Sequence, residues 1–196
     1  MLLRTERLVL RPLNESDIDA VLVAASDPIT QQWLPLPRPY TRAHAEDFVG
    51  RWAPAQWSSG DGIVRALGYG TELAGVIDLK RTDWRQRETE IGYWATPRFR
   101  GLGLMTEAVA ALARWLLAEQ GFERAELRAA TGNTASARVA IKAGFGYEGV
   151  ARNAGIVHDG RVDLAIYSMI PSDLALGTRA PDPSHPGAAR SSAIPS

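Results

Sequence analysis

The segment Tyr93-Trp94-Ala95-Thr96-Pro97-Arg98-Phe99-Arg100-Gly101-Leu102-Gly103-Leu104-Met105-Thr106-Glu107-Ala108 sets two arginines and two glycines between an apolar, strand-like run and a helix-like one. Those residue types suit phosphate binding. Gly101 and Gly103 lack a Cβ, so the chain can turn tightly and present successive N–H groups at a helix start, where unpaired donors and the positive dipole end attract an anion. Arg98 and Arg100 add full positive charge beside the turn. The same letters also serve as plain turn punctuation. G-x-x-x-x-G-K-[ST] is absent and no G-x-G-x-x-G follows a strand, which disfavours a nucleotide triphosphatase and a Rossmann dehydrogenase.

The surrounding chain must supply the scaffold. Leu8, Leu10 and Pro12 alternate with Arg7, Val9 and Arg11 as an opening strand would, and Asn14 and Asp17 offer a cap for a helix over residues 15–26. Residues 27–40 carry Pro28, Pro35, Pro37 and Pro39 and read as a loop. Trp33 within it either walls a substrate site or plugs the edge of the core. Thr41 can cap a second helix holding Phe48, Val49 and Trp52.

Residues 63–69 and 73–79 read as strands about a Gly70-Thr71-Glu72 hairpin, and 88–95 as a central strand. Met105, Ala108, Val109, Leu112, Leu116 and Leu117 recur at helical spacing, with Gly121 to stop them. A strand over 125–130, a short helix over 135–143 and a closing antiparallel pair over 147–152 and 162–170 complete an α+β fold with a mixed sheet. Residues 1–174 form one domain on this reading, and the Pro-, Ser- and Gly-rich residues 175–196 a flexible tail.

Composition narrows the function. The chain has 196 residues, 45% hydrophobic and 22% charged, as one ordinary globular domain requires. Basic and acidic residues balance at 22 each, which argues against a sequence-independent grip on nucleic acid. The absence of cysteine removes disulfides, thiolate metal sites and an acyl-cysteine intermediate. His44, His158 and His185 lack metal-ligand spacing, so no metal is assigned. No apolar run approaches the ~20 residues of a membrane span, and the N-terminus lacks a signal-peptide layout, so a cytoplasmic protein without a membrane partner is expected.

The glycine turn resembles motif A of the GCN5-related N-acetyltransferases (GNAT), Q/R-x-x-G-x-G/A, which holds the pyrophosphate of acetyl-coenzyme A. Arg98-x-x-Gly101-x-Gly103 fits the letters. The preferred register, Arg100-x-x-Gly103-x-Met105, keeps the family's step from Pro97 to the basic residue. Met105 followed by Thr106-Glu107-Ala108 resembles the ribosomal-protein N-acetyltransferase branch of RimJ/RimL type. Thr5-Glu6-Arg7-Leu8-Val9-Leu10-Arg11-Pro12-Leu13 resembles that branch's opening strand, and Glu90-Ile91-Gly92-Tyr93-Trp94 its fourth strand. Asn133-x-x-Ser136-x-x-Val139-x-x-Lys142-x-Gly144-Phe145 resembles its coenzyme-binding motif B, so the likeness spans residues 2–174.

The resemblance implies a GNAT fold, a mostly antiparallel mixed sheet flanked by helices, and an acyltransferase using acetyl-CoA as cosubstrate and no metal. The pantetheine arm would lie between splayed fourth and fifth strands, along the backbone of Tyr93, Trp94 and Ala95. Arg98, Arg100, Gly101, Leu102, Gly103, Leu104, Met105 and Thr106 would hold the pyrophosphate, and Asn133 the coenzyme arm. Asn133 is equally natural as a turn residue.

Glu90 is the candidate base, with a salt-bridged strand glutamate, paired to Arg85 or Arg87, as the bland alternative. The tyrosine acid common in the family is replaced by Ala140, and Ser136 takes over beside the thiolate. Asp163 either binds the acceptor amine or pairs with Arg161 or Arg152, and Trp33 lines the acceptor site. The acceptor is a primary amine, a peptide N-terminus or a small molecule. A non-catalytic acyl-CoA sensor and a transferase for a longer acyl group such as succinyl are the alternatives, and a homodimer is the family's habit.

Overall fold

A computed structural model of the protein describes residues 1–175. Among them, eight strands form one sheet in the order β1-β2-β3-β4-β5-β6-β8-β7. They are β1 (Leu3–Arg4), β2 (Val9–Arg11), β3 (Val64–Tyr69), β4 (Glu72–Asp83), β5 (Glu88–Ala95), β6 (Arg124–Ala130), β7 (Gly146–Val157) and β8 (Gly160–Met169). Every neighbouring pair is antiparallel except β5 and β6. A parallel pair cannot be joined by a hairpin. The crossover between them supplies the glycine turn and the long helix α5 (Leu104–Arg114), continued by a π-helical turn over Trp115–Glu119.

Alternation along the strands creates two cores. Ala125, Leu127 and Ala129 of β6 are buried while Glu126 and Arg128 stay partly open, as period-two patterning demands. Leu10, Ile77, Ile91 and Leu127 pack with Val109, Leu112 and Leu116 of the α5 segment and Ala140 of α6 (Thr134–Lys142). On the opposite face Val64, Ala66 and Val76 pack with Val21 of α1 (Ile18–Ser26), Ala45 of α3 (Arg42–Asp47) and Ala53 of α4 (Ala53–Ser59). A bidentate pair, Arg11 Nη1 and Nη2 to the buried Asp17 carboxylate at 2.7 Å each, ties β2 to the turn that opens α1. The cap expected from Asn14 and Asp17 is present, and it takes the form of a capping box.

Residues 27–40 are not the unbroken loop their prolines suggest, for they contain α2 (Pro28–Trp33). Pro28 occupies the first helical turn, where a missing N–H costs nothing, and the Asp27 side chain accepts from the Ile29 and Thr30 N–H groups. The closing hairpin is longer than expected, because β7 absorbs irregularities between Tyr147 and Gly149 and between Ala151 and Gly155 and still pairs with β8. The described residues close with α7 (Pro171–Ala175); the remainder of the expected tail, and His185, lie outside them. No helix among the described residues is long and apolar enough to cross a membrane.

Leu112 is fully buried beneath α5. Leu112→Ala is expected to cost about 2–5 kcal/mol in chemical denaturation, against about 0.5 or less for Val23→Ala on the exposed side of α1. Across β6 and β7, Arg124 binds Glu126 and Glu148 at 2.7 Å. The Arg124 hydrogen bond comes first among the causes holding the Glu148 carboxyl down at about 2, so its contribution is present above the ordinary range near 4.5 and lost as pH falls to about 2. Glu148→Gln should therefore lower Tm at neutral pH, with the difference from wild type shrinking on titration across that window.

Candidate active site

β5 and β6 pair only through Glu88–Arg124, Thr89–Ala125 and Glu90–Glu126. Beyond Glu90 the strands part. Ile91 to Ala95 pair with β4 alone, and Leu127 to Ala130 with β8 alone. Each strand end is anchored away from the other. The buried Thr96 donates its N–H to Ala74 O at 3.0 Å and its hydroxyl to Leu73 O at 2.8 Å, while Thr131 N–H donates to Asp163 O at 3.0 Å. The result is a V-shaped gap with one edge of β5 unpaired, and Tyr93, Trp94 and Ala95 line that edge.

Beside the gap, Gly101 and Gly103 adopt φ of +80° and +77°. A Cβ at Gly101 would meet nothing within 4 Å, and one at Gly103 only Arg7 Nη2 at 3.6 Å, so the left-handed backbone and not space calls for glycine. Gly103 is the N-cap of α5 and no side chain caps it. The Glu107 N–H returns to Gly103 O at 3.1 Å, leaving the Leu104, Met105 and Thr106 N–H groups as the unpaired first turn. Leu104 and Met105 bury their side chains in the core and face the turn through backbone alone.

The two arginines are not free charges. Arg100 Nη2 donates to Asp27 Oδ1 at 2.5 Å and to Thr30 Oγ1 at 2.9 Å, fastening the glycine turn to the start of α2. Burial raises the Asp27 carboxyl, but the bonds from Arg100 and from the Thr30 and Ile29 N–H groups outweigh it and hold it below the ordinary range. Arg98 pairs with Glu72 and lies over the Phe99 ring, 4.7 Å from its centroid. A third arginine, Arg7, donates to Leu102 O at 3.0 Å and to Glu107 at 2.6 Å. Sequence reasoning placed Arg7 in the opening strand and missed that it reaches the turn.

Across the gap, the Tyr93 hydroxyl lies 2.7 Å from Ser136 Oγ and 3.3 Å from Ser136 O. Burial pushes the Tyr93 phenol up to about 12, so it stays protonated and able to donate. Asn133 caps α6, its Oδ1 accepting from the Ser136 N–H at 3.1 Å, so its side chain orients the serine from behind. Trp33 packs on the turn between β6 and α6, with ring carbon Cη2 3.2 Å from where a Gly132 Cβ would stand. It thus joins the gap's far rim. Asp163 accepts from the Asn153 N–H at 2.7 Å instead of pairing with Arg161 or Arg152.

Glu90 stands at the closed end of the gap, and its partners are not Arg85 or Arg87. Lys80 Nζ lies 3.4 Å from Oε1, while Arg81 and, at 3.7 Å, Arg128 face Oε2. Oε2 is closed to solvent and has no aligned hydrogen-bond donor. This is the environment of an ion-pair hub. Two surface cavities, of about 280 Å³ among Ser26, Gln31, Arg38, Pro39 and Tyr40 and about 250 Å³ among Trp57, Trp84 and Trp115, contain none of these groups.

The acetyltransferase (GNAT) domain family matches residues 7–146. YdaF of Bacillus subtilis (strain 168), provisionally named a ribosomal N-acetyltransferase, is 31% identical over 169 residues, covering 84% of this chain and 92% of that protein. The ribosomal-protein-serine acetyltransferase of Escherichia coli (strain K12) is 30% identical over 99 residues, 50% of this chain and 55% of that one. A solved structure of RimL, described as a ribosomal L7/L12 alpha-N-protein acetyltransferase in complex with coenzyme A, superposes with a TM-score of 0.77 at 25% identity, covering 87% of this chain and 98% of that chain. The chain belongs to the GNAT acetyltransferase family, in the branch that resembles RimL, and is an N-acetyltransferase.

Proposed function

We propose that the protein transfers an acetyl group from acetyl-CoA directly to a primary amine, with a protein N-terminal α-amine as the leading acceptor class. The observation that carries this is the parting of β5 from β6 beside an uncapped helix start: an unpaired strand edge accepts an extended amide-bearing arm as an added strand, and the free N–H groups of α5 accept its pyrophosphate. Coenzyme A joins those two features in one molecule, and the RimL structure named above contains it. With Arg98 and Arg100 engaged in ion pairs, the pyrophosphate rests mainly on backbone donors and the helix dipole.

Holding thioester and amine in a near-attack geometry can supply ~7–11 kcal/mol of the barrier, so few side chains need act chemically. The Tyr93–Ser136 pair supplies the hydroxyl that stabilises and protonates the departing thiolate, replacing the tyrosine absent at Ala140. Glu90 holds β4, β5 and β6 together at the closed end of the gap. An α-amine, with a reference pKa near ~8 against ~10.4 for lysine, costs ~3 kcal/mol less to deprotonate at neutral pH. That difference, with the names of YdaF and RimL, favours a protein N-terminus over a lysine side chain. Trp33, packed at the gap's rim, walls the acceptor.

Acetyl-CoA should raise Tm, while NADH and ATP should not, in thermal shift measurements. Gly103→Asp should abolish that rise, by setting a carboxylate against the pyrophosphate and a side chain at φ +77°, whereas Gly70→Asp in the β3–β4 turn should preserve it. Equal stabilisation by all three nucleotides would sink the coenzyme reading. For the leaving group, Ser136→Ala and Tyr93→Phe should each lower kcat by ~10²-fold or less with acetyl-CoA affinity nearly unchanged. The double variant should lose little more than Ser136→Ala alone, and additive losses would show that the two hydroxyls act separately.

A further inference from the structure

With Glu90 closed off by three cations, a different carboxylate on the same sheet face is half-buried and unpaired. Asp78, in β4, lies opposite Val64 of β3 and Gly92 of β5. Gly92 has no side chain, and Asp78 and Lys80 lean into the space: a Cβ there would lie 2.6 Å from Asp78 Oδ1 and 2.8 Å from Lys80 Nζ. Gly92 follows closely on the last β5–β6 pair, so both groups lean over β5 beside the inner end of the gap.

Asp78 has no hydrogen-bond or ion-pair partner among the described residues. Lys80 gives its ion pair to Glu90 at 3.4 Å and acts on Asp78 only through longer-range attraction. Val64 and Val76 flank the carboxylate in the sheet, and yet, unlike Glu90 Oε2, it keeps contact with solvent. An unpaired carboxylate in such surroundings costs stability. A place where a chain carries that cost is a place to look for function.

We propose that Asp78 receives the acceptor: its carboxylate binds the incoming ammonium and takes one proton from it. The assignment rests on the gap being the acetyl-CoA site, as proposed above. The freed amine nitrogen attacks the thioester carbonyl, the N–C bond forms and the C–S bond breaks. The remaining surplus proton on nitrogen passes to the thiolate, with the Ser136 hydroxyl as relay, and Asp78 returns its own proton to solvent. Asp78 shares its face with Gly92 and Trp94, whereas Tyr93 and Ser136 belong to the α5–α6 side, so proton acceptor and proton donor approach the gap from opposite faces of the sheet. Burial pushes the Asp78 carboxyl above its ordinary range, partly offset by Lys80, which brings a base closer to the pH at which it works. Nearby on this face Lys80, Glu90, Glu126 and Arg128 are paired among themselves and Arg81 with Glu90, while Glu88 stands farther off, at the end of β5 that lies opposite Arg124 of β6.

The test compares Asp78→Asn with Glu90→Gln on two kinds of acceptor: a panel of peptide N-termini and small alkyl amines, and hydroxylamine, which is uncharged at neutral pH and needs no base. Asp78→Asn should keep wild-type acetyl-CoA affinity and an equal or higher Tm. It should lose about 10²-fold in kcat/KM with the best ammonium-forming acceptor and less than about tenfold with hydroxylamine. Equal losses on both acceptors would make Asp78 structural, and an unaltered rate would remove it from the site. Wild-type protein that binds acetyl-CoA but acetylates nothing in the panel would also overturn the assignment. Failure to bind acetyl-CoA at all would instead overturn the coenzyme reading beneath it.

Discussion

The fold turns on an incomplete pairing. β5 and β6 hold to each other over three residue pairs and then diverge, each keeping its full ladder with its other neighbour. A sheet normally suppresses an unpaired edge, because free N–H and C=O groups seek partners. Here the edge lies inside the sheet, between β5 and β6. The ion-pair hub about Glu90 marks where pairing stops, with Lys80 and Arg81 from β4 and Arg128 from β6 converging on one β5 carboxylate.

Every other feature of the site is placed by that divergence. The parallel relation of β5 and β6 requires a crossover, and the crossover delivers the glycine turn and the α5 N-terminus to the mouth of the gap. Arg100, clasping Asp27 and Thr30, fixes the turn against α2, whose last residue, Trp33, then reaches the turn after β6. Asn133 caps α6 and so aims Ser136 at Tyr93 across the opening. Fastening of this kind suits a site that works by positioning, because a displaced near-attack geometry loses the entropic advantage it was built for.

What was legible in the sequence was local or periodic. The glycine turn, the hydrophobic stripe of α5, the β3–β4 hairpin and the capping residues Asn14 and Thr41 each announce themselves within a few positions, and the structure has them all. The prolines of residues 27–40 misled, because Pro28 after Asp27 starts a helix as readily as it breaks one. The ionic partners were hidden for a different reason: Arg100 meets Asp27 from 73 residues away and Arg7 meets Glu107 from 100, and no spacing rule reports that. Asp78 had a faint signal as the one charge inside the apolar run Leu73-Ala74-Gly75-Val76-Ile77-Asp78-Leu79. Only the register, which no local pattern reports, sets it against Gly92.

The most direct test of the central claim, that the edge of β5 freed by its divergence from β6 is where the coenzyme binds, is amide hydrogen exchange with and without acetyl-CoA. Slowed exchange is expected at the β6-facing amides among Ile91 to Ala95 and at Leu104 to Thr106, with the tip of the β7–β8 hairpin unchanged. Protection confined to other segments, with the β5 edge exchanging as in the free protein, would contradict it.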